Sequence, residues 1–256
     1  MIGLAALDDT RASTPLGRAS ALVKLAVAVV WLLGIVVAPD PRASLTLALI
    51  ALVAARWLGA VPLSDLVRGL APLVVAAGGI AAFTAVFAAA NADPEAVPLL
   101  TLGPIVVSVA GAQAALLVGA RLLAIGAISI AFATTTSPTA LVDALVQQAH
   151  VPDRFAYGAL AAYGALPRLS ADLRSLREAR QLRGLRADLH PRLLVALLVL
   201  AVRHAERLGV AMDARGFGRG PRSHFRPLTW GPLDLLVALG GLAILAAILW
   251  LAFVAA

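Results

Sequence analysis

The stretch PLDLLVALGGLAILAAILWLAFV, residues 232–254, decides how the rest of the chain is read. Beyond Asp234 it runs through twenty residues without a charge. At about 1.5 Å of rise per residue, such a helix covers the roughly 30 Å hydrocarbon core of a bilayer. No water is available there to satisfy backbone N–H and C=O groups, so an Ala/Leu/Val run can cross only as a helix. The whole chain shares this character, with 61% hydrophobic and 14% charged residues and a mean hydropathy of +0.92, far from the composition of a soluble domain. A membrane β-barrel needs alternating strands of about ten residues, and none is evident. The expected fold class is all-α, a polytopic membrane protein of about five transmembrane helices with a cytoplasmic block of amphipathic helices.

Four further spans lie toward the N-terminus, after a polar lead-in over residues 1–19. The first covers about Ser20 to Ala38 and is closed by Pro39-Asp40-Pro41, which cannot continue a helix. The second covers about Ala43 to Leu58, with Arg56-Trp57 suited to the headgroup region. A polar turn with Pro62, Ser64, Asp65 and Arg68 leads to the third, about Gly69 to Ala90, followed by the acidic loop Asn91-Ala92-Asp93-Pro94-Glu95. The fourth is expected to start near Pro104 and reach Ala133, long enough to require tilt or extension past the membrane surface. These boundaries divide the chain into residues 1–136 (helices one to four), 137–229 (the cytoplasmic block) and 230–256 (the last helix).

Charge placement sets the orientation. From Arg154 to Arg226 there are fourteen arginines against five acids, Asp172, Glu178, Asp188, Glu206 and Asp213, whereas Asn91 to Gly103 holds no basic residue. By the positive-inside rule the Arg-rich block and the N-terminus, with Arg11, Arg18 and Lys24, are cytoplasmic, as is the turn flanked by Arg56 and Arg68. An odd number of crossings then puts the C-terminus outside. Within the block, Ser137-Pro138 caps a helix running to about Ala149, and Val151-Pro152 restarts the chain. Leu166, Leu169, Leu173 and Leu176 mark an amphipathic helix ending at Gly184. The apolar segment Arg192 to Arg203 has about 15 Å of helix in its core, half a bilayer, and is read as lying on or just under the membrane. A second amphipathic helix is expected from about Arg203 to Gly216.

The two amphipathic helices end alike, in Ala179-Arg180-Gln181-Leu182-Arg183-Gly184 and Ala211-Met212-Asp213-Ala214-Arg215-Gly216. Glycine readily takes the left-handed conformation that stops a helix, leaving Arg at the tip. There the guanidinium complements the negative end of the helix dipole and still offers a five-donor fork to a partner. Arg before a terminal Gly is also an ordinary helix stop. Capping alone does not require the same Arg-Gly end twice, however, and two such tips suit a partner with two equivalent grooves.

The order Arg121, Phe132-Ala133-Thr134-Thr135-Thr136-Ser137-Pro138, Pro152, Ala165-Leu166-Pro167-Arg168-Leu169 and the two Arg-Gly ends, the second continuing as Phe217-Gly218, resembles the T component of energy-coupling factor (ECF) transporters. That family includes cobalt- and biotin-transporter permease subunits. The similarity covers about Arg121 to Gly218; the first end departs from the usual Ala-Arg-Gly in having Leu182 before Arg183. The resemblance implies an importer built from a small substrate-binding membrane S component, this scaffold, and two cytoplasmic ATP-binding cassette ATPases in the plasma membrane of a prokaryote. ATP and Mg would be bound by the ATPases, with no cofactor in this chain. By position it assigns ATPase coupling to Arg183, Gly184, Ala214, Arg215 and Gly216. The small residues Gly78, Gly79, Ala82 and Ala85 permit close helix approach and are candidates for the S-component face; packing inside this chain's own bundle is the plainer reading.

Catalysis by this chain finds little support. It has no Cys, no phosphate-binding G-x-x-x-x-G-K-[ST] loop, and four histidines, 150, 190, 204 and 224, without metal-ligand spacing. Neither catalytic nor metal-binding residues are expected. Thr134-Thr135-Thr136-Ser137 is read as backbone bonding and helix capping rather than ion coordination. Lys24 and Arg121, the basic residues nearest the membrane interior, are read as snorkelling to the surface. The alternative function is a stand-alone carrier or membrane enzyme that uses the basic block for anionic lipid or substrate.

Overall fold

The computed structural model describes residues 14–92, 97–102, 105–185, 190–218 and 227–254. Arg11 and most of the N-terminal lead-in, Asp93, Pro94 and Glu95 of the acidic loop, Gly103, Pro104, Asp188, Arg219, Arg222, His224 and Arg226 lie outside the described residues. The chain forms two compact units, Met1–Leu141 with Thr229–Ala256, and Val142–Leu228.

In the first unit, a short helix α1 (Pro15–Arg18) is followed by α2 (Ala21–Val37), α3 (Pro41–Trp57), α4 (Leu63–Phe87), a 3-10 turn (Ala89–Ala92), strands β1 (Pro98–Leu102) and β2 (Ile105–Ser108), α5 (Val109–Thr135) and, after the second unit, α9 (Pro232–Val254). Helix boundaries follow the local chemistry. Ser20 caps α2 by accepting from Leu22 N–H, Asp40 caps α3 by accepting from Arg42 N–H, and Pro41 sits at the first helical position, where its missing donor costs nothing. Ser108 caps α5 by accepting from Gly111 N–H at 3.0 Å. Asn91 closes the end of α4, donating to the carbonyls of Ala85 and Val86 and accepting from Ser108 N–H at 2.9 Å.

The helices beginning at Leu63, Val109 and Pro232 are long and apolar enough to cross a membrane. Helices α2 and α3, with 17 residues each, reach about 26 Å and sit at the lower limit for a crossing. Contacts at the helix ends fix their directions. Ser20, at the start of α2, meets Asp234 at the start of α9, and Trp31 Nε1 donates to the Gly241 carbonyl at 2.8 Å, so these two helices run parallel. Lys24 of α2 meets Thr135 at the end of α5, while Arg121 of α5 meets Val36 and Ala38 at the end of α2, so that pair is antiparallel.

The core joins Trp31 and Ile35 of α2, Leu47, Ala48 and Ala51 of α3, Ala124, Ala127 and Ile128 of α5, and Leu245 of α9. Small residues let the axes approach: a Cβ at Gly34 would strike Leu245, one at Gly241 would lie 2.6 Å from Val27, and one at Gly126 would strike Leu73. The opposite faces carry large apolar side chains such as Leu33, Val75, Phe83 and Leu236, all exposed, as expected where lipid is the solvent.

The fourth span differs from its expected start. It opens at Val109, not near Pro104, because the residues before it pair as an antiparallel hairpin with Leu102 opposite Ile105 and Pro98 opposite Ser108. The β-branched run Ile105-Val106-Val107 favours strand over helix.

The second unit takes in most of α6 (Pro138–Gln147), then α7 (Asp153–Leu182) and α8 (Pro191–Ala214). Ser137 caps α6 by accepting from Ala140 N–H at 3.2 Å. Helix α8 is one continuous 24-residue helix from Pro191, not two helices meeting near Arg203. His190 Nδ1 caps its start by accepting from Arg192 N–H at 3.2 Å, and nothing between them breaks the turn. The polar Arg203-His204 pair interrupts the apolar pattern without interrupting the backbone.

Candidate coupling surface

Helices α7 and α8 end with the same hydrogen bonds. At the first end Gly184 N–H donates to Gln181 C=O at 2.9 Å and Leu185 N–H to Arg180 C=O at 3.1 Å. At the second, Gly216 N–H donates to Asp213 C=O at 2.9 Å and Phe217 N–H to Met212 C=O at 2.9 Å. These paired bonds form the Schellman termination, which satisfies carbonyls the helix leaves open. Gly184 and Gly216 supply the left-handed residue, with φ of +71° and +68°. Arg183 and Arg215 therefore occupy equivalent cap positions, and both are exposed, as is Ala214.

The two ends differ in support. Arg154, in the first turn of α7, donates through Nη2 to the Gly218 carbonyl at 3.0 Å. Gly218 is also left-handed, with φ +75°, and a Cβ there would strike the Arg154 side chain. This contact seats the end of α8 beside the start of α7. Arg183 stands at the other end of the 30-residue α7, about 44 Å further along the helix path. One turn along α7 from Arg154, Tyr157 Oη donates to Asp143 at 3.0 Å. Burial, then that bond and the charges of Asp143 and Asp153, push the phenol up to about 12, so it remains a donor at physiological pH.

Little of either helix is covered by its own unit. The buried residues are Ala156 in α7 and Leu193 in α8. Of the leucine stripe, Leu166 is exposed and Leu169, Leu173 and Leu176 are half-buried. Leu182, one residue before the first tip arginine, is 90% exposed.

The small-residue candidates lie on α4. Ala77 and Ala81 turn toward α5, where a Cβ on Gly119 would come within 3.1 Å of Ala81. Gly78, Gly79 and Ala82 are exposed and Ala85 is half-buried; a Cβ at Gly78 or Gly79 would meet nothing within 4 Å. Packing inside the bundle therefore does not account for these two glycines.

Thr134 and Thr135 hydroxyls donate to the carbonyls of Ile130 and Ala131, both at 2.7 Å, the backbone bonding expected of them. Lys24 and Arg121 have backbone partners within the bundle. Lys24 Nζ donates to the Thr135 carbonyl at 3.0 Å, and Arg121 Nη2 to those of Val36 and Ala38 at 3.2 and 2.8 Å. Each cation satisfies the open carbonyls at the end of a neighbouring helix, where the dipole is negative. The sequence signal for this was a lone base near the start of one span and another inside an antiparallel partner.

Residues 12–226 match the family described as Cobalt transport protein (CbiQ), most of the 256-residue chain. Over 169 residues the chain is 28% identical to a Bifidobacterium longum protein described as an ABC transporter ATP-binding protein. The match takes in 59% of this chain and 22% of that protein, so this chain spans about a fifth of the relative's length.

Proposed function

Because the chain belongs to the cobalt transport protein family, we propose that it is the transmembrane scaffold of an ECF-type ABC importer. In this reading it couples ATP hydrolysis by two cytoplasmic ATPases to uptake of a vitamin or transition metal held by a separate S component. The observation that carries the proposal is the pair of identically terminated helices with an exposed arginine at each cap, Arg183 and Arg215. Their separation along α7 and α8 suits two partner grooves better than one. The uncovered apolar side chains of the same helices, among them Leu166, Leu182, Leu198 and Val210, suit a protein partner.

The Bifidobacterium relative adds support. A region similar to this chain occurs in a protein described as ATP-binding, whereas this chain has no phosphate-binding loop. ATP and Mg then belong to the partners. Charge bias places the N-terminus and the α7–α8 block on the cytoplasmic side of a prokaryotic plasma membrane, where the ATPases reach them. Gly78, Gly79, Ala82 and Ala85 form the proposed S-component face, since the two glycines leave room for a helix that the bundle does not itself supply.

The test is recovery of the ATPases with affinity-purified scaffold. The double variant Arg183→Glu, Arg215→Glu should insert and fold but retain less than about a tenth of the ATPases, because each charge reversal replaces a charge-assisted contact with repulsion. Wild-type recovery from the double variant would refute the proposal.

A further inference from the structure

The second unit is an insertion: the chain leaves the first unit after Leu141 and returns at Thr229. Both passages are tied to the first turn of α2. On the outgoing side, Lys24 Nζ donates to the carbonyl of Thr135, the last residue of α5, at 3.0 Å. On the returning side, Asp234 Oδ1 accepts from Ser20 N–H at 2.6 Å while its Oδ2 accepts from Gly231 N–H at 2.9 Å. Lys24 and Asp234 are 8% and 6% exposed. Within the second unit its own two ends also meet, since Leu228 N–H donates to Gln147 Oε1 at 2.8 Å.

Charges this deeply buried in a membrane bundle are costly and persist where something holds them. Here each satisfies a helix terminus: Lys24 the open carbonyl end of α5, and Asp234 the unfilled N–H at the start of α2 together with the first turn of α9. We infer that Ser20, Lys24 and Asp234 form a root clamp that gathers the outgoing and returning segments onto α2, and that Lys24 is the positioning residue through which displacement of the α7–α8 block reaches the membrane helices. This rests on the scaffold reading. Without the clamp, the segments around Thr135 and Asp234 would yield separately and a pull on the insertion would be lost as local bending. With it, α2 moves with both, and α2 carries Trp31 and Ile35 into the core.

The chain contains no cysteine, so a single cysteine at Val29, 45% exposed on α2, reports movement of that helix without knowledge of the transported substrate. The complex with its ATPases, in lipid vesicles, is labelled with a membrane-permeant maleimide with and without ATP. In the Val29→Cys background the labelling rate should change with ATP. Adding Lys24→Met should shrink that change at least about tenfold, the size of one hydrogen bond to a charged group, while ATPase recovery and ATP hydrolysis stay at wild-type levels. Lys24→Arg should restore most of it. Asp234→Asn, close to Asp in volume, is read in the same way and keeps the test open if Lys24→Met fails to fold.

An ATP-dependent change of undiminished size in folded Lys24→Met or Asp234→Asn would overturn the clamp. So would an unvarying label in the Val29→Cys background, or loss of the ATPases together with the response. Failure of the wild-type chain to bring down any ATPase would instead overturn the scaffold reading, and the clamp with it.

Discussion

At Gly216 the backbone is left-handed, with φ +68°, in surroundings where a side chain would meet nothing within 4 Å. Space is therefore not what selects glycine; conformation is. A Cβ in this region costs about 1 kcal/mol, and the helix would relieve it by unwinding its last turn and re-aiming Arg215. Gly216→Ala is expected to weaken ATPase binding about fivefold with insertion unchanged, as measured by titrating ATPase onto the purified scaffold. The terminating role of Gly184 and Gly216 is legible in sequence because Arg-Gly at the end of an amphipathic stretch has few other readings. The clamp is not. Lys24 looks like an interfacial base until Thr135, far along the chain, is brought beside it by the antiparallel pairing of α2 and α5.

Element by element, the apolar periodicities locate the membrane helices well and their edges poorly. The run Pro98 to Ser108 carries no charge, so hydropathy merges its second half with the fourth span, although β-branched residues form a hairpin there. In α8 the opposite error arises, because the polar side chains of Arg203 and His204 divide the pattern while the helix continues from Pro191 to Ala214. Helix α4 separates two uses of small residues that sequence alone leaves confounded. Gly126 on α5 receives Leu73 of α4, whereas Gly78 and Gly79 face open space. Gly126→Leu should destabilise the bundle by about 1 to 3 kcal/mol through overpacking, seen as a lower melting temperature in detergent. Gly78→Leu should leave that temperature unchanged while reducing retention of the S component. A matching loss of stability in both would remove the case for a partner face on α4.

At the scale of the molecule, one unit holds the apolar helices and the other carries the two arginine-capped helix ends on largely uncovered helices. The division of labour follows from composition: the inserted unit holds fourteen of the twenty arginines, and among the described residues the helices long and apolar enough to cross a bilayer lie in the first. The central claim is that both ends seat in ATPases. It is tested most directly by placing a photo-crosslinking residue at Leu182 in one variant and Ala214 in another, then irradiating intact cells and identifying what each captures. The account predicts an ATP-binding cassette ATPase on both. Capture of only lipid, or of this chain alone, from both positions would contradict it.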